Sequence, residues 1–376
     1  MTEDLPIQVI TETSKGREGS DDITWAEHYY LGAERASSIG NVASENIASS
    51  IETNLSATIF NSDEGKKHWY LPARPASGTF YVWKNQKQKV CILGNCQGPN
   101  LARTIANISN SEISICGLEI MQFSHNRERF LQTLLASDVI VTCKTYSEEF
   151  KEISFEHIDT LKPGNVFEYS PIYFAGLHPD ICYLGARGQR IFSAVGDYNS
   201  RILVNAFLQY KTEEEANYLF DKQVFLNAGY LDAFDTAKDE FFRRENALSH
   251  KSITFADLFF ENIITLPLLY SVNHPTSALL NLMSKRICSK IGIEVTDVAD
   301  ALLSNALIDN VIWPLYNDIC EYHGLKYRTN RTFTHNQTVM SLSEFIWRCY
   351  RIYDSYDREI LSAALKESNL ELEFNV

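Results

Sequence analysis

One cysteine in a glycine-bounded turn and two histidine–proline pairs are the residues of this chain whose types and spacing could do chemistry. Lys89 to Ile105 reads Lys-Val-Cys-Ile-Leu-Gly-Asn-Cys-Gln-Gly-Pro-Asn-Leu-Ala-Arg-Thr-Ile. Val90 to Leu93 form an apolar run without polar alternation, the pattern of a parallel strand covered on both faces. Gly94 to Gly98 is a sharp turn, Pro99 suits the first turn of a helix, and Leu101, Ala102, Ile105 and Ile108 supply an apolar face. Cys96 is thereby predicted where a strand ends and a helix begins, beside unpaired backbone N–H groups and the positive end of a helix dipole. A thiol held there is expected to have a lowered pKa and to act as a nucleophile. A phosphate-binding or purely structural turn is the alternative reading of the same residues.

A cysteine nucleophile needs a base, usually histidine, and an oxyanion site. Of nine histidines, His28, His68, His250, His323 and His335 fall in peripheral stretches, and His125 and His157 lie in or near crossover helices. Only His178 and His274 combine strand-end placement with a following proline that fixes the local backbone. Spacing alone does not choose between them.

The elements that must position these residues alternate. Strands are predicted at Ile113–Leu118, Asp138–Cys143 and Asn165–Tyr169, with a helix at His125–Ala136 and Ser124 as its N-cap. That order implies right-handed crossovers and an α/β fold with a parallel sheet. Ligands of such sheets bind beyond the carboxyl ends of the strands. This directs attention to Gly94–Gly98, the polar group after Leu118, Lys144–Tyr146 and Ser170–Tyr173. Further on, Asp197–Ser200 caps a helix from Arg201 to Tyr210, residues 212–262 read as helical, and Asn273–Thr276 leads into a helix at Ser277–Lys290. Residues 296–323 carry a helical pattern broken by Pro314, Thr329–Thr338 is a polar loop, and 341–366 is helical.

Composition limits the partners. The chain has 376 residues, 45% of them hydrophobic, and a net charge of -14, against nonspecific binding to nucleic acid or an anionic membrane. No apolar run is long enough to span a bilayer and no signal-peptide pattern is evident, so a cytoplasmic protein without an integral membrane segment is expected. Eight cysteines without a C-x-x-C pair read as buried thiols in a reducing compartment. No metal site is expected, because His178 and Asp180 lack a third ligand nearby.

Gly94-Asn95-Cys96-Gln97 after an apolar strand, Gly176-x-His178-Pro179-Asp180 after a later one, and His274-Pro275 downstream resemble the WcbI-type polysaccharide biosynthesis acetyltransferases. The resemblance covers residues 88–295. It implies binding of coenzyme A or acetyl-CoA as co-substrate and acetylation of a capsular polysaccharide sugar. That family is similar in turn to SGNH hydrolases, which implies a flavodoxin-like parallel core. Their Gly-Asp-Ser turn corresponds to Gly94-Asn95-Cys96 and their late histidine to His274. Where those hydrolases carry an aspartate that orients the histidine, this chain has Ser271.

The expected organisation is therefore 1–22 without fixed structure, a 23–87 extension that is partly helical over 23–60, an 88–295 catalytic domain with a helical insertion at about 200–262, and a helical region at 296–376. Cys96 and His274 are the expected dyad, with Gly94, Asn95 and Gln97 forming the turn and the oxyanion site. Lys144, Ser170, Tyr173, His178, Asp180, Arg187 and Arg201 are the expected substrate or coenzyme A contacts. The function expected is an acetyl-CoA-dependent O-acetyltransferase acting on a sugar or polysaccharide precursor. A cysteine esterase or thioesterase and a noncatalytic coenzyme A or glycan-binding domain are the alternatives, and a homo-oligomer is left open.

Overall fold

The computed structural model describes residues 88–374, apart from 112, 126, 146, 187, 188, 304 and 329–331, together with three strands nearer the N-terminus. The stretch 31–79, including His68 and most of the extension expected to be partly helical, lies outside the described residues. Contacts divide the chain into two units, residues 1–171, 247–255 and 280–305 in the first, and 172–246, 256–279 and 306–376 in the second.

The first unit is built on one sheet. Its strands in chain order are β1 (Gln8–Glu12), β2 (Ala26–Tyr30), β3 (Phe80–Trp83), β4 (Gln88–Gly94), β5 (Ile113–Glu119), β6 (Val139–Cys143), β7 (Val166–Tyr169) and β8 (Ser252–Ile253). Their spatial order is β8-β7-β6-β4-β5-β3-β1-β2. The last five in sequence pair in parallel, and their order, 2-1-3-4-5 when counted from β4, is that of the flavodoxin-like folds. The crossovers supply helices α1 (Gln97–Ile108), α2 (Arg127–Ala136) and α3 (Phe155–Leu161). Val90 to Leu93 and Ile140 to Val141 are almost wholly buried, as expected of central parallel strands covered on both faces. β4 has β5 on one side and β6 on the other, so the turn after β4 stands at the topological switch point.

Three expectations are corrected here. Residues 8–12 and 26–30 are strands, the first inside the segment expected to lack fixed structure and the second in a stretch expected to be partly helical. The insertion at 200–262 is mostly helical, but Ser252–Ile253 crosses back as the edge strand β8, paired with Glu168 and Tyr169. Two residues are too few to show a strand period.

The second unit packs helices around a core that includes Trp313, Phe333 and Phe345. Phe333 and Phe345 stack at 3.9 Å, with Trp313 edge-on to both. The region expected to be helical after 296 has a helix at Asn317–Tyr322 but also contains a three-stranded antiparallel sheet of Val311–Ile312, Phe333–His335 and Thr338–Met340. The supposed loop at 329–338 thus contains most of a hairpin, turned at Asn336 and Gln337, whose φ angles are 47° and 66°. Positive φ at both central residues is the twist a tight hairpin requires. The remaining helices, Leu342–Tyr353 and Arg358–Glu367, fall where the apolar periodicity put them, with Ser341 and Asp357 accepting backbone N–H bonds as N-caps.

Candidate active site

In the first unit the chain leaves β4 at Gly94 and enters α1 at Gln97, with Cys96 as the residue before the helix. Close packing dictates the glycines. A Cβ on Gly94 would run into the Tyr169 hydroxyl and stand 3.0 Å from the Gly98 Cα, and one on Gly117 would stand 2.6 Å from the Pro99 Cα. The turn is thereby held against β7 and β5. Within it, the Gln97 N–H donates to the Asn95 Oδ1 at 3.0 Å and the Gly98 N–H to the Asn95 carbonyl at 2.9 Å. The Asn100 side-chain amide donates to the Cys96 carbonyl at 2.9 Å. Asn95 therefore organises the turn, and it already takes the backbone N–H of Gln97, a residue expected at the oxyanion site.

The thiol differs from expectation in its acidity. Burial pushes the Cys96 pKa up to about 12, the negative charge of Glu119 adds to this, and the backbone N–H groups of Cys96 and Gln97 offset only part of it. Desolvation outweighs the helix-terminus effect. Cys96 is nevertheless only half-buried, whereas the other seven cysteines are buried.

His178 and His274 belong to the second unit, as does Asp180. Both rings are almost wholly buried, and burial lowers the pKa of each to about 4 against the weak favourable effects of the Trp313 and Val311 backbones. Each is neutral at pH 7 and available to accept a proton. Among the described residues, neither ring nitrogen of His178 has a hydrogen-bond partner of normal geometry, and Nδ1 of His274 likewise has none. His274 pairs with Ser271 across a two-stranded ladder. Ser271 does not face the imidazole, since its hydroxyl donates to Asn273 Oδ1 at 3.3 Å. The Tyr198 hydroxyl does, standing 3.2 Å from His274 Nε2 while donating to Asn273 Oδ1 at 2.6 Å. Tyr198 was not found from the sequence, because it lies 76 positions from the histidine it touches.

The expected binding residues divide. Asp180, fully buried, accepts from the Tyr230 hydroxyl at 2.8 Å, the Tyr316 hydroxyl at 2.8 Å and the Ile202 N–H at 3.0 Å. It ties loops to the helix Arg201–Leu208 rather than orienting His178. Arg201 spends its guanidinium on the carbonyls of Ala228, Leu370 and Glu371. Lys144 pairs with Glu156 at 3.1 Å and with the buried Glu168 at 3.3 Å. These two cations are structural, which removes the basis for assigning them to coenzyme A phosphates. Ser170 is buried and Tyr173 is 40% exposed, the latter beneath the Arg244 guanidinium. Arg187 lies outside the described residues. Sequence reading flagged the polar positions after Leu118 without singling out Glu119. This residue pairs with Gly94 in the ladder, and its pKa is raised to about 7 by burial. Among the described residues no group of three or more His, Cys, Asp or Glu side chains could hold a metal ion, and no helix is long and apolar enough to cross a membrane.

A family model described as polysaccharide biosynthesis enzyme WcbI matches residues 89–296. A solved structure of WcbI, described as a novel polysaccharide biosynthesis enzyme in its native form without a disulfide bond between coenzyme A and one of its cysteines, is similar to this chain. The two share 17% identity with a TM-score of 0.58, covering 75% of this chain and 94% of that one. At that identity the likeness is one of fold. No curated protein matches the sequence.

Proposed function

From the premise that the chain belongs to the WcbI family of polysaccharide biosynthesis enzymes, we propose that it is an acetyl-CoA-dependent O-acetyltransferase working in the cytoplasm on a sugar of a polysaccharide or its precursor. The observation that carries this reading is the turn itself. It holds a half-buried thiol at the switch point of a parallel sheet and at the start of a twelve-residue helix, where ligands of such sheets bind. The solved relative named above, whose description mentions coenzyme A, supports the choice of acyl donor.

In the proposed reaction neutral His274 accepts the Cys96 proton. The sulfur attacks the thioester carbonyl of acetyl-CoA, a new carbon–sulfur bond forms, and the coenzyme A thiolate leaves. The Cys96 N–H and the side-chain NH2 of Asn95 are the donors assigned to the oxyanion, since the Gln97 N–H is already held by Asn95. The coenzyme A thiolate takes that proton from His274; the sugar hydroxyl then attacks the acyl carbon as a base takes its proton, and Cys96 departs as thiolate.

A second reading rests on the raised thiol pKa. A thiol that stays protonated suits direct transfer, with Cys96 binding coenzyme A and His274 or His178 activating the acceptor hydroxyl. In either case free coenzyme A should accumulate from acetyl-CoA in proportion to an added sugar acceptor. Release at the same rate without any acceptor would instead identify a cysteine thioesterase or esterase. Binding of coenzyme A with no release under any condition would identify a noncatalytic binding domain.

A further inference from the structure

We propose that Glu119 is the base that takes the proton of the acceptor hydroxyl when the acyl group leaves Cys96, an inference that rests on the covalent form of the reading above. Glu119 is the last residue of β5. The six residues before it are buried and it is partly exposed, so the strand delivers a carboxyl group out of the core at the end of the sheet where Cys96 lies. The parallel ladder pairs it with Gly94, two residues before Cys96, and neighbouring strands run about 4.8 Å apart. Its charge bears directly on the thiol.

Among the described residues, nothing explains Glu119 as a structural group. Lys144, the cation that directly follows β6, is held by Glu156 and Glu168. Desolvation is the dominant influence on the Glu119 carboxyl, and no cation offsets it. Carboxylates that serve only to join elements are paired with cations or N–H donors, as Glu168 and Asp180 are in this chain. A partly desolvated carboxyl without such a partner, beside a nucleophile, is the arrangement of a proton acceptor. Its raised pKa, about 7, matches the protonation task at neutral pH.

The electrostatics also assign the step. Ionised Glu119 opposes a thiolate at Cys96, so it is ill placed while the thiol must lose its proton, a task left to His274. In the second half of the reaction the order favours it. The acceptor O–H gives its proton to a Glu119 oxygen, the acceptor oxygen bonds to the acyl carbon, and the carbon–sulfur bond breaks with its electrons going to Cys96. Glu119 is by then neutral, so the charge that opposed the thiolate has gone. Return of the proton from Glu119 to the sulfur restores both groups.

The test uses the full chain loaded with acetyl-CoA, freed of excess donor and followed by intact mass, with water as the acceptor and hydroxylamine as a nucleophile that needs no base. Glu119→Gln is expected to load at least as fast as the wild type, since the charge that opposes the thiolate is gone, to lose its acetyl group to water at least roughly 100-fold more slowly, and to react with hydroxylamine at the wild-type rate. The wild-type discharge should show an inflection near pH 7 that is absent from the variant. Alkylation of unloaded Cys96 by iodoacetamide should show the same inflection and the same loss. Equal discharge of the two proteins to water, or an unchanged alkylation profile in Glu119→Gln, overturns the proposal. A wild type that never acquires an acetyl group on Cys96 overturns the covalent reading beneath it, and this is seen at the loading step, before Glu119 is tested.

Discussion

Replacing Gly94 by alanine tests how tightly the candidate nucleophile is held. The added methyl would collide with the Tyr169 hydroxyl and meet the Gly98 Cα at 3.0 Å and the Gly98 nitrogen at 3.1 Å. Tyr169 is wholly buried and its ring lies edge-on to Phe255 at 6.1 Å, so it has little room to retreat. Overpacking a filled core of this kind costs about 1–3 kcal/mol. For a unit of this size each kcal/mol lowers the melting temperature by roughly 2–4 °C, giving an expected loss of about 2–12 °C. Among the described residues the Tyr169 hydroxyl has no hydrogen-bond partner, so Tyr169→Phe alone should change stability by less than about 1 kcal/mol. Combined with Gly94→Ala it should restore more than half of the loss, because the oxygen in collision is gone while the milder Gly98 contacts remain. The assay is a thermal melt of the wild type, the two single variants and the double variant, read as a mutant cycle. Additive losses, or a Gly94→Ala protein as stable as the wild type, would refute the packing argument.

Other perturbations give outcomes as definite. His178 and His274 have folded pKa values near 4 against an ordinary value of 6.5, so the unfolded chain takes up protons first as the pH falls. The stability they contribute, roughly 3 kcal/mol each, is complete above pH 6.5 and is lost as the pH drops through 4. Urea midpoints at pH 7 and pH 4.5 should therefore differ less in His178→Phe than in the wild type. Lys144→Met strands the buried Glu168 and should cost about 3 kcal/mol at pH 7, while coenzyme A affinity measured by calorimetry stays unchanged. Asp180→Ala leaves two tyrosine hydroxyls and the Ile202 N–H without their acceptor and should cost roughly 3 kcal/mol or more in a thermal melt. A loss below about 1 kcal/mol would show that these groups find other partners.

What could be read from the sequence follows from how local each signal is. Val90 to Leu93 and Val139 to Cys143 are apolar runs long enough to announce buried parallel strands, and the Gly94-Asn95-Cys96-Gln97 turn follows directly from strand and helix start. A parallel sheet was legible for the same reason, whereas its flavodoxin-like form was implied only by the resemblance to the SGNH hydrolases. β8 was not, since Ser252 and Ile253 derive their strand character wholly from pairing with Glu168 and Tyr169. The hairpin at 333–340 escaped notice because its turn uses Asn336 and Gln337 where a glycine would have signalled it. The site shows a sharper divide. That Cys96 sits before a helix is local information, but its acidity is set by surrounding burial and by Glu119 on the adjacent strand. Lys144 and Arg201 looked available because their partners, Glu168 and the carbonyls of Ala228, Leu370 and Glu371, are distant in sequence. The serine three positions before His274 suggested a missing third group. The position facing the imidazole is filled by Tyr198, which no spacing rule connects with it.

The central claim is that Cys96 carries the acyl group with His274 as its base, and intact-protein mass after brief exposure to acetyl-CoA tests it most directly. The account predicts one acetyl adduct on the wild type, none on Cys96→Ala, and at least roughly 100-fold slower acquisition by His274→Ala. An adduct that persists in Cys96→Ala, or acetylation of His274→Ala at the wild-type rate, would contradict it.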